Sequence, residues 1–337
     1  MTTYSSFRSV LALTLMAAFL IAGAMPATAS AEEVKLKLAS LAPKGSSWMK
    51  TFQAINRELK KETDGEVSLK LYAGGVMGDE RAMVRKMRSG QLDGAALTSV
   101  GLADINKQLL VLQLPLTFKS SKQLDYVRDQ MSDTFTGLLD KQGFKLLAWG
   151  DVGFNYLFTN SPVSSPNDIK QTKCWVWDLD PVSREVMKVA GVNAVPLGVP
   201  DVLPGLNSGL VDAFLNSPYG AVALQWHTKA KYRSNLKLAV TIGGVVLTKK
   251  AWDKIPAKYH ELVISIGKKH EAKLLKKIRS DNRKALKTLQ DKGIEKTDIS
   301  NFKKWKAIAD KTRTNLTGPF FEKAIVDEML KHLKNAP

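Results

Sequence analysis

Cysteine and histidine are scarce in this chain, and their scarcity excludes several kinds of chemistry. Cys174 is the single cysteine, so no disulfide can form within the chain. Because it stands in the apolar run Cys174–Trp177, we expect its side chain to be buried as a small hydrophobic group. Only four histidines occur, and none has the spacing of metal ligands. The sequence therefore predicts no metal site.

Recognised catalytic motifs are also missing. The chain contains no G-x-S-x-G sequence, which marks the nucleophile of α/β-hydrolases. The glycine-rich loop 74–78 lacks the Lys-Ser/Thr ending of a phosphate-binding loop and the full dinucleotide fingerprint, which favours a structural turn. We therefore predict no catalytic residue, no cofactor and no enzymatic activity.

Long hydrophobic runs are confined to the beginning of the chain. Arg8 is the only charge before the mostly apolar run Val10–Met25, and small residues follow at Ala29 and Ala31. This is the pattern of a signal peptide cleaved near Ala31 and predicts a periplasmic protein. An uncleaved N-terminal anchor is the alternative, although the run is short for a membrane-spanning helix.

Positive charge is in excess, with a formal net charge of +18 at pH 7. Much of the excess lies between Lys268 and Lys292, where basic residues recur along one predicted helix. A solvated helix face is the simplest explanation. Contact with anionic lipid headgroups or with an acidic partner is the alternative, and export makes nucleic acid an unexpected partner.

Apolar periodicity predicts an α/β fold. Strands are expected near 34–38, 67–71, 94–98, 155–160, 173–177, 211–215 and 238–247, with helices between them and a long helix from about 256 to 293. Two α/β units crossed several times by the chain indicate a hinged pair of domains around a cleft. The predicted segments are a signal peptide (1–31), domain I (32–152 plus about 240–256), domain II (153–239), and a bracing helix with C-terminal helices (257–337).

Short motifs in a characteristic order carry a family resemblance. The chain resembles the DctP-type substrate-binding proteins of tripartite ATP-independent periplasmic (TRAP) transporters, and the resemblance runs through most of residues 38–256. It implies a two-domain periplasmic-binding-protein-like fold with a hinge and a long helix spanning both domains. It also implies delivery of a small molecule to a small and a large membrane subunit. The motifs are Leu38-Ala39-Ser40, 72–80, 87–93, 114–118, 165–170, 206–213 and 247–256.

Two positions depart from the family pattern. Members usually carry an arginine that binds the ligand carboxylate where this chain has Trp175, and a second arginine where it has Asn155. An indole cannot replace the two parallel, charge-assisted hydrogen bonds of a guanidinium. A small carboxylate therefore cannot bind in the family's usual way, although Lys44 or Lys173 remains a candidate for a displaced cation.

Eleven residues are predicted to contact the ligand. The aromatic ones favour an apolar or amphipathic solute, with core packing as the alternative role of each. Asn216 matches a family asparagine of the cleft, and four of the others follow or end predicted strands. The full set is Trp175, Asn155, Asn216, Trp177, Phe154, Tyr219, Trp226, Ser40, Trp48, Ser99 and Asp178.

Three functions stay open from the sequence. The first is a TRAP receptor for a hydrophobic or amphipathic small molecule, and the second is a conventional dicarboxylate-type TRAP receptor. The third is a lipid carrier of the cell envelope that works without a transporter.

Overall fold

The computed structural model describes residues 33–337. The predicted signal peptide and its cleavage site near Ala31 lie outside this range. Among the described residues, no helix has both the length and the apolar character needed to cross a membrane.

Ten strands are formed by residues 33–337, and most begin within one or two residues of the predicted positions. Alternation of apolar and polar residues, as in Val34–Leu38, places one set of side chains in the core. The strands are β1 (Val34–Ser40), β2 (Val67–Tyr72), β3 (Gly94–Thr98), β4 (Phe144–Thr159), β5 (Trp175–Trp177), β6 (Val195–Leu197), β7 (Ala213–Asn216), β8 (Tyr232–Ser234), β9 (Ala239–Thr248) and β10 (Glu295–Thr297).

Strands β4 and β9 are the two longest strands and lie next to each other in the main sheet. The order of this sheet is β10-β8-β4-β9-β3-β1-β2. The first part of β4 pairs with β9, and its end, from Tyr156 to Thr159, pairs with β7. The sequence predicted only the strand at 155–160. In the structure β4 already begins at Phe144. Its first part is held by hydrogen bonds to the backbone of β9, which is distant in sequence but adjacent in space. Strands β5 and β6 form a separate parallel pair.

The described residues form twelve α-helices, in addition to short 3₁₀ segments. They are α1 (Ser47–Glu62), α2 (Glu80–Arg88), α3 (Ser99–Ile105), α4 (Ser121–Gln130), α5 (Ser132–Asp140), α6 (Pro181–Ala190), α7 (Val199–Ser208), α8 (Pro218–Ala223), α9 (Lys249–Trp252), α10 (His260–Asp291), α11 (Phe302–Leu316) and α12 (Lys323–Asn335). The 3₁₀ segment Lys107–Gln113 follows α3.

The caps of these helices are those that the sequence indicates. Ser46 Oγ accepts a hydrogen bond from Met49 N at the start of α1, and Asp79 Oδ1 accepts one from Glu80 N at the start of α2. Helix α6 begins at Pro181 and ends before Gly191, which adopts φ 69°. Each of these helix ends therefore lies at a residue type that favours a helix terminus.

Helix α10 is 32 residues long and braces several other elements. At 1.5 Å per residue it extends about 48 Å. It packs against α1, β4 and α8. Asn282 joins two of these elements, because its Nδ2 donates to Val152 O (3.0 Å) and its Oδ1 accepts from Tyr219 N (3.0 Å). The predicted long helix is confirmed, and it begins at His260 after a 3₁₀ turn that follows Pro256.

Candidate ligand-binding cavity

A cavity of about 180 Å³ lies where the ends of β1 and β3 face β5 and α8. Strand β5 directs Trp175 and Trp177 to the same side, because side chains alternate along a strand. Helix α8 contributes Tyr219, and its N-cap is fixed by Ser217 Oγ, which accepts from Gly220 N (3.0 Å). The lining is mainly apolar. Eight of the eleven predicted site residues line it: Ser40, Trp48, Asn155, Trp175, Trp177, Asn216, Tyr219 and Trp226.

The remaining three predicted residues lie elsewhere. Ser99 is fully buried and its Oγ donates to Gln113 Oε1 (2.5 Å). Asp178 is exposed, and Phe154 lies beneath the ammonium of Lys237, 4.8 Å from the ring centroid. None of the three lines this cavity, because the position after or within a strand does not by itself set which way a side chain faces.

Three tryptophans form the aromatic wall of the cavity. Trp226 packs edge-on against Trp175, with ring centroids 5.0 Å apart, and Trp177 lies on the other side of Trp175 at 6.5 Å. Two indole N–H groups are already bound within the protein: Trp175 Nε1 donates to Leu197 O and Trp177 Nε1 to Asp79 Oδ2, both at 3.0 Å. The wall therefore presents apolar ring surface, and these side chains also belong to the core.

Trp48 enters the cavity from α1, beside two glycines of the central strands. Its Nε1 donates to Asp151 O (3.2 Å). A Cβ atom at Gly150 would overlap the Trp48 ring, and one at Gly243 would lie 3.0 Å from it. These glycines make room for the indole.

Two asparagines add polar groups. Asn155 Nδ2 donates to Thr241 Oγ1 (2.8 Å), so its amide is held within the protein. Asn216 Oδ1 accepts from Ser217 N (2.7 Å), which turns the other end of the amide, Nδ2, away from that bond. Asn216 can therefore donate a hydrogen bond to a ligand.

Sequence reasoning missed three acidic residues of the lining, of which Glu80 is the most buried. Its Oε1 accepts from Thr98 N and its Oε2 is hydrogen-bonded to Thr98 Oγ1, both at 2.8 Å. Burial raises the pKa of Glu80 to about 8. At neutral pH this carboxyl is mostly protonated. Its position at the start of α2, next to the cap Asp79, gave no signal of burial because acidic residues commonly occupy a first helical turn.

Asp180 and Asp151 are the other two acids. Asp180 caps α6, and its Oδ2 accepts from Gln113 Nε2 (2.6 Å) and Ser183 Oγ (2.5 Å). Burial raises its pKa. Burial also raises the pKa of Asp151, opposed by Arg279, whose Nε donates to Asp151 Oδ2 at 2.7 Å. Both carboxyls thus have partners within the protein, while Asp151 Oδ1 has no hydrogen bond and lies 3.7 Å from Arg128 Nη1.

Among the residues that line the cavity there is no Lys, Arg or His. Arg279 lies behind Asp151 and also binds Asp125, with both terminal nitrogens 2.7 Å from its carboxylate oxygens. The two lysines that the sequence offered as displaced cations are exposed and outside the lining, and Lys173 Nζ donates to Gly209 O at 3.2 Å. In this structure neither lysine contributes a charge to the cavity. The described residues also contain no group of acidic, Cys and His side chains that could hold a metal ion.

Hydrogen bonds join the elements that contribute to the cavity. Ser47 N at the start of α1 donates to Tyr219 Oη in α8 (2.9 Å). Asp79 receives Trp177 Nε1 and also Val199 N, at the start of α7 (3.0 Å). An α/β protein that encloses a largely apolar cavity between facing elements has the architecture of a small-molecule-binding protein.

The family follows from comparison with known proteins. Residues 38–315 match the DctP family, described as "Bacterial extracellular solute-binding protein, family 7". The chain belongs to this family of TRAP-type solute-binding proteins. The predicted fold class is confirmed: an α/β, periplasmic-binding-protein-like fold with a long helix, matching the two-domain TRAP binding proteins of known structure.

Relatives and solved structures agree with this assignment. The chain is 26% identical over 248 residues to the 2,3-diketo-L-gulonate-binding periplasmic protein YiaO of Escherichia coli (strain K12), covering 72% of this chain and 74% of YiaO. A TRAP periplasmic solute-binding protein from Citrobacter koseri with bound D-glucuronate is 25% identical, with a TM-score of 0.81 and coverage of 88% and 98%. The sugar acid binding protein DctPAm from Advenella mimigardefordensis, in complex with galactonate, shares the fold at 20% identity, with a TM-score of 0.85 and coverage of 91% and 99%.

Proposed function

We propose that this protein is a periplasmic receptor that binds an uncharged, apolar or amphipathic small molecule and delivers it to the small and large membrane subunits of a TRAP transporter. The observation that carries the proposal is the lining of the cavity. It combines tryptophan rings with the acids Glu80, Asp151 and Asp180, and it includes no cation. A carboxylate buried there would lack the charged partner that offsets its desolvation.

The eight lining residues that the sequence singled out, from Ser40 to Trp226, are proposed to contact this ligand. Apolar ring surface contributes by removing ligand surface from water, at about 25 cal/mol per Å². Asn216 Nδ2 is the proposed hydrogen-bond donor that orients the ligand. Glu80, in its protonated state, supplies a second donor or acceptor beside Thr98.

Closure about β4 and β9 is the proposed conformational step. We propose that residues 32–152 with 240–256 form one domain and residues 153–239 the other, braced by 257–337. Strands β4 and β9 pair along their length and connect the two sides, which supports a hinge in these strands. The contacts Ser47–Tyr219 and Asp79–Trp177 would then form on closing.

A conventional organic-acid receptor is the second candidate. The relatives described above bind sugar acids by their own names, and Glu80 offers a specific observation in its favour. With its pKa raised to about 8, the carboxyl can donate a hydrogen bond to a ligand carboxylate at neutral pH. Binding of an acid held in this way would weaken as pH rises through about 8, because Glu80 then loses its proton and repels the ligand.

The test is to identify what the protein carries. Purified protein is denatured and the released compounds are identified by mass spectrometry, and the unloaded protein is then titrated with D-glucuronate and galactonate by calorimetry at pH 7 and 9. We expect a released compound without a carboxylate and no heat from either sugar acid. A released carboxylic acid that rebinds at pH 7 and weakens at pH 9 would instead establish the second candidate.

A further inference from the structure

A second chamber of about 60 Å³ lies beside the main cavity, between helices α6 and α11. These helices pack against each other. The walls that they contribute are apolar: Val186, Met187 and Ala190 from α6, and Trp305, Ile308 and Ala309 from α11. Nothing in the proposed uptake of a small molecule requires a chamber at this place.

The chamber shares part of its wall with the main cavity. Gln113, Asn155, Ser183 and Leu215 line both spaces and therefore stand between them, and we call these four residues the neck. The polar groups of the neck are already engaged: Gln113 Nε2 and Ser183 Oγ both donate to Asp180 Oδ2, and Asn155 Nδ2 donates to Thr241. An apolar group that passes between these side chains would therefore meet polar groups that already have a partner.

The chemistry of the walls selects the occupant. No titratable side chain lines the chamber, so it offers no partner to an ion. A buried water needs two to four polar partners, and the apolar walls provide few. Trp305, the one indole there, directs its Nε1 to Ser164 O (3.4 Å). The volume corresponds to about four groups the size of water, which suits a short run of methylenes.

We propose that the bound molecule carries an unbranched alkyl chain whose end passes the neck and occupies this chamber, while its polar end stays in the tryptophan-lined cavity. The inference rests on the proposed function, since it assigns a ligand class, an amphipathic molecule with an alkyl chain, to the same site. It further assigns a chain-length preference to α6 and α11, which contribute little to the main cavity.

The test uses 1-alkanols from butanol to decanol as probes, with dissociation constants measured by tryptophan fluorescence. In the wild type, each added methylene is expected to tighten binding roughly fourfold until both spaces are filled. Ala309→Leu places a larger side chain in the chamber. In this variant the gain in affinity per added methylene should therefore stop at a shorter alkanol than in the wild type, while the affinity for butanol stays the same. Ala285→Leu is the matched control, because Ala285 is a buried helical alanine that lines neither space.

The chain length at which affinity stops rising distinguishes the possible outcomes. If wild type and Ala309→Leu stop gaining affinity at the same chain length, the chamber does not hold the chain and the inference is overturned. Should Ala309→Leu fail to fold, Ile308→Phe fills the chamber from a half-buried position and replaces it. Binding of butanol without any gain from longer chains overturns the inference and leaves the proposed function standing. Binding of D-glucuronate with no binding of any alkanol overturns both.

Discussion

At the scale of single residues, position 175 is where this chain departs from the pattern that the family resemblance implies. The family resemblance implies an arginine there, and the structure places Trp175 in the lining with its N–H bound to Leu197 O. The side chain therefore offers ring surface to a ligand and no charge.

Replacing Trp175 with arginine should move binding towards carboxylates. A charge-assisted hydrogen bond is worth about 1.5–3 kcal/mol, so Trp175→Arg is expected to tighten D-glucuronate binding at least tenfold, as measured by calorimetry. Trp175→Phe is the control, since it also loses the bond to Leu197 but adds no charge. If the wild type binds D-glucuronate as tightly as Trp175→Arg, an unassigned group must already hold the carboxylate.

Glu80 is expected to make stability depend on pH. Its pKa is about 8 in the folded protein and near 4.5 in the unfolded chain, so between these values the folded state holds one more proton. This contribution to stability is greatest below pH 4.5 and falls by up to about 1.4 kcal/mol per pH unit until about pH 8. Glu80→Gln, which resembles the protonated carboxyl in shape and hydrogen bonding, should remove that fall.

Chemical denaturation at pH 5.5 and 7.5 measures this effect. The stability of Glu80→Gln relative to the wild type should rise by about 1–3 kcal/mol between the two conditions. A difference between the proteins that stays constant with pH would show that Glu80 ionises normally in the folded state.

At the scale of elements, β4 and α1 meet where Gly150 faces the Trp48 ring. Gly150→Ala should displace the indole from the cavity and destabilise the fold by about 1–3 kcal/mol, because a Cβ atom there overlaps the ring. Thermal unfolding and quenching of tryptophan fluorescence would measure both consequences. Gly137→Ala is the control, since a Cβ atom there meets nothing within 4 Å and helix α5 should gain stability. Equal effects of the two substitutions would contradict the close packing of Trp48.

The sequence predicted the elements better than their pairing. Caps such as Ser46 and Asp79 and the apolar stripe of α10 are local features, so the helix boundaries follow from neighbouring residues. The extension of β4 back to Phe144 could not be predicted, because its hydrogen-bond partner β9 lies about one hundred residues away. The same limit applies to Ser99, whose side chain turns to Gln113 rather than into the cavity.

At the scale of the whole molecule, the formal net charge is +18, and some of the basic residues of α10 form ion pairs. Lys269 pairs with Glu58 (2.6 Å) and Lys277 with Asp281. Several lysines of the helix remain exposed to solvent: Lys268, Lys273, Lys276, Lys284 and Lys287. Contact of this surface with anionic headgroups stays a prediction.

Vesicle sedimentation tests that contact. Binding to phosphatidylglycerol vesicles at 20 mM salt should weaken at least tenfold at 300 mM, because exposed charges are screened over about 10 Å at 0.1 M. Substituting Lys273, Lys276, Lys284 and Lys287 with glutamine should have a similar effect at low salt. Substituting four lysines outside α10 is the control, and an equal loss in both variants would indicate attraction by total charge alone.

By itself, the sequence determined the local elements and the family resemblance, which implies an arginine where this chain has Trp175, because each depends on residue type and spacing along the chain. The sequence also singled out eleven candidate ligand contacts, of which eight line the cavity. Only the tertiary structure brought Glu80, Asp151 and Asp180 to one cavity without a cation and placed an apolar chamber between α6 and α11. Burial and the neighbours that alter a pKa are set by elements distant in sequence, so no local pattern could have predicted them.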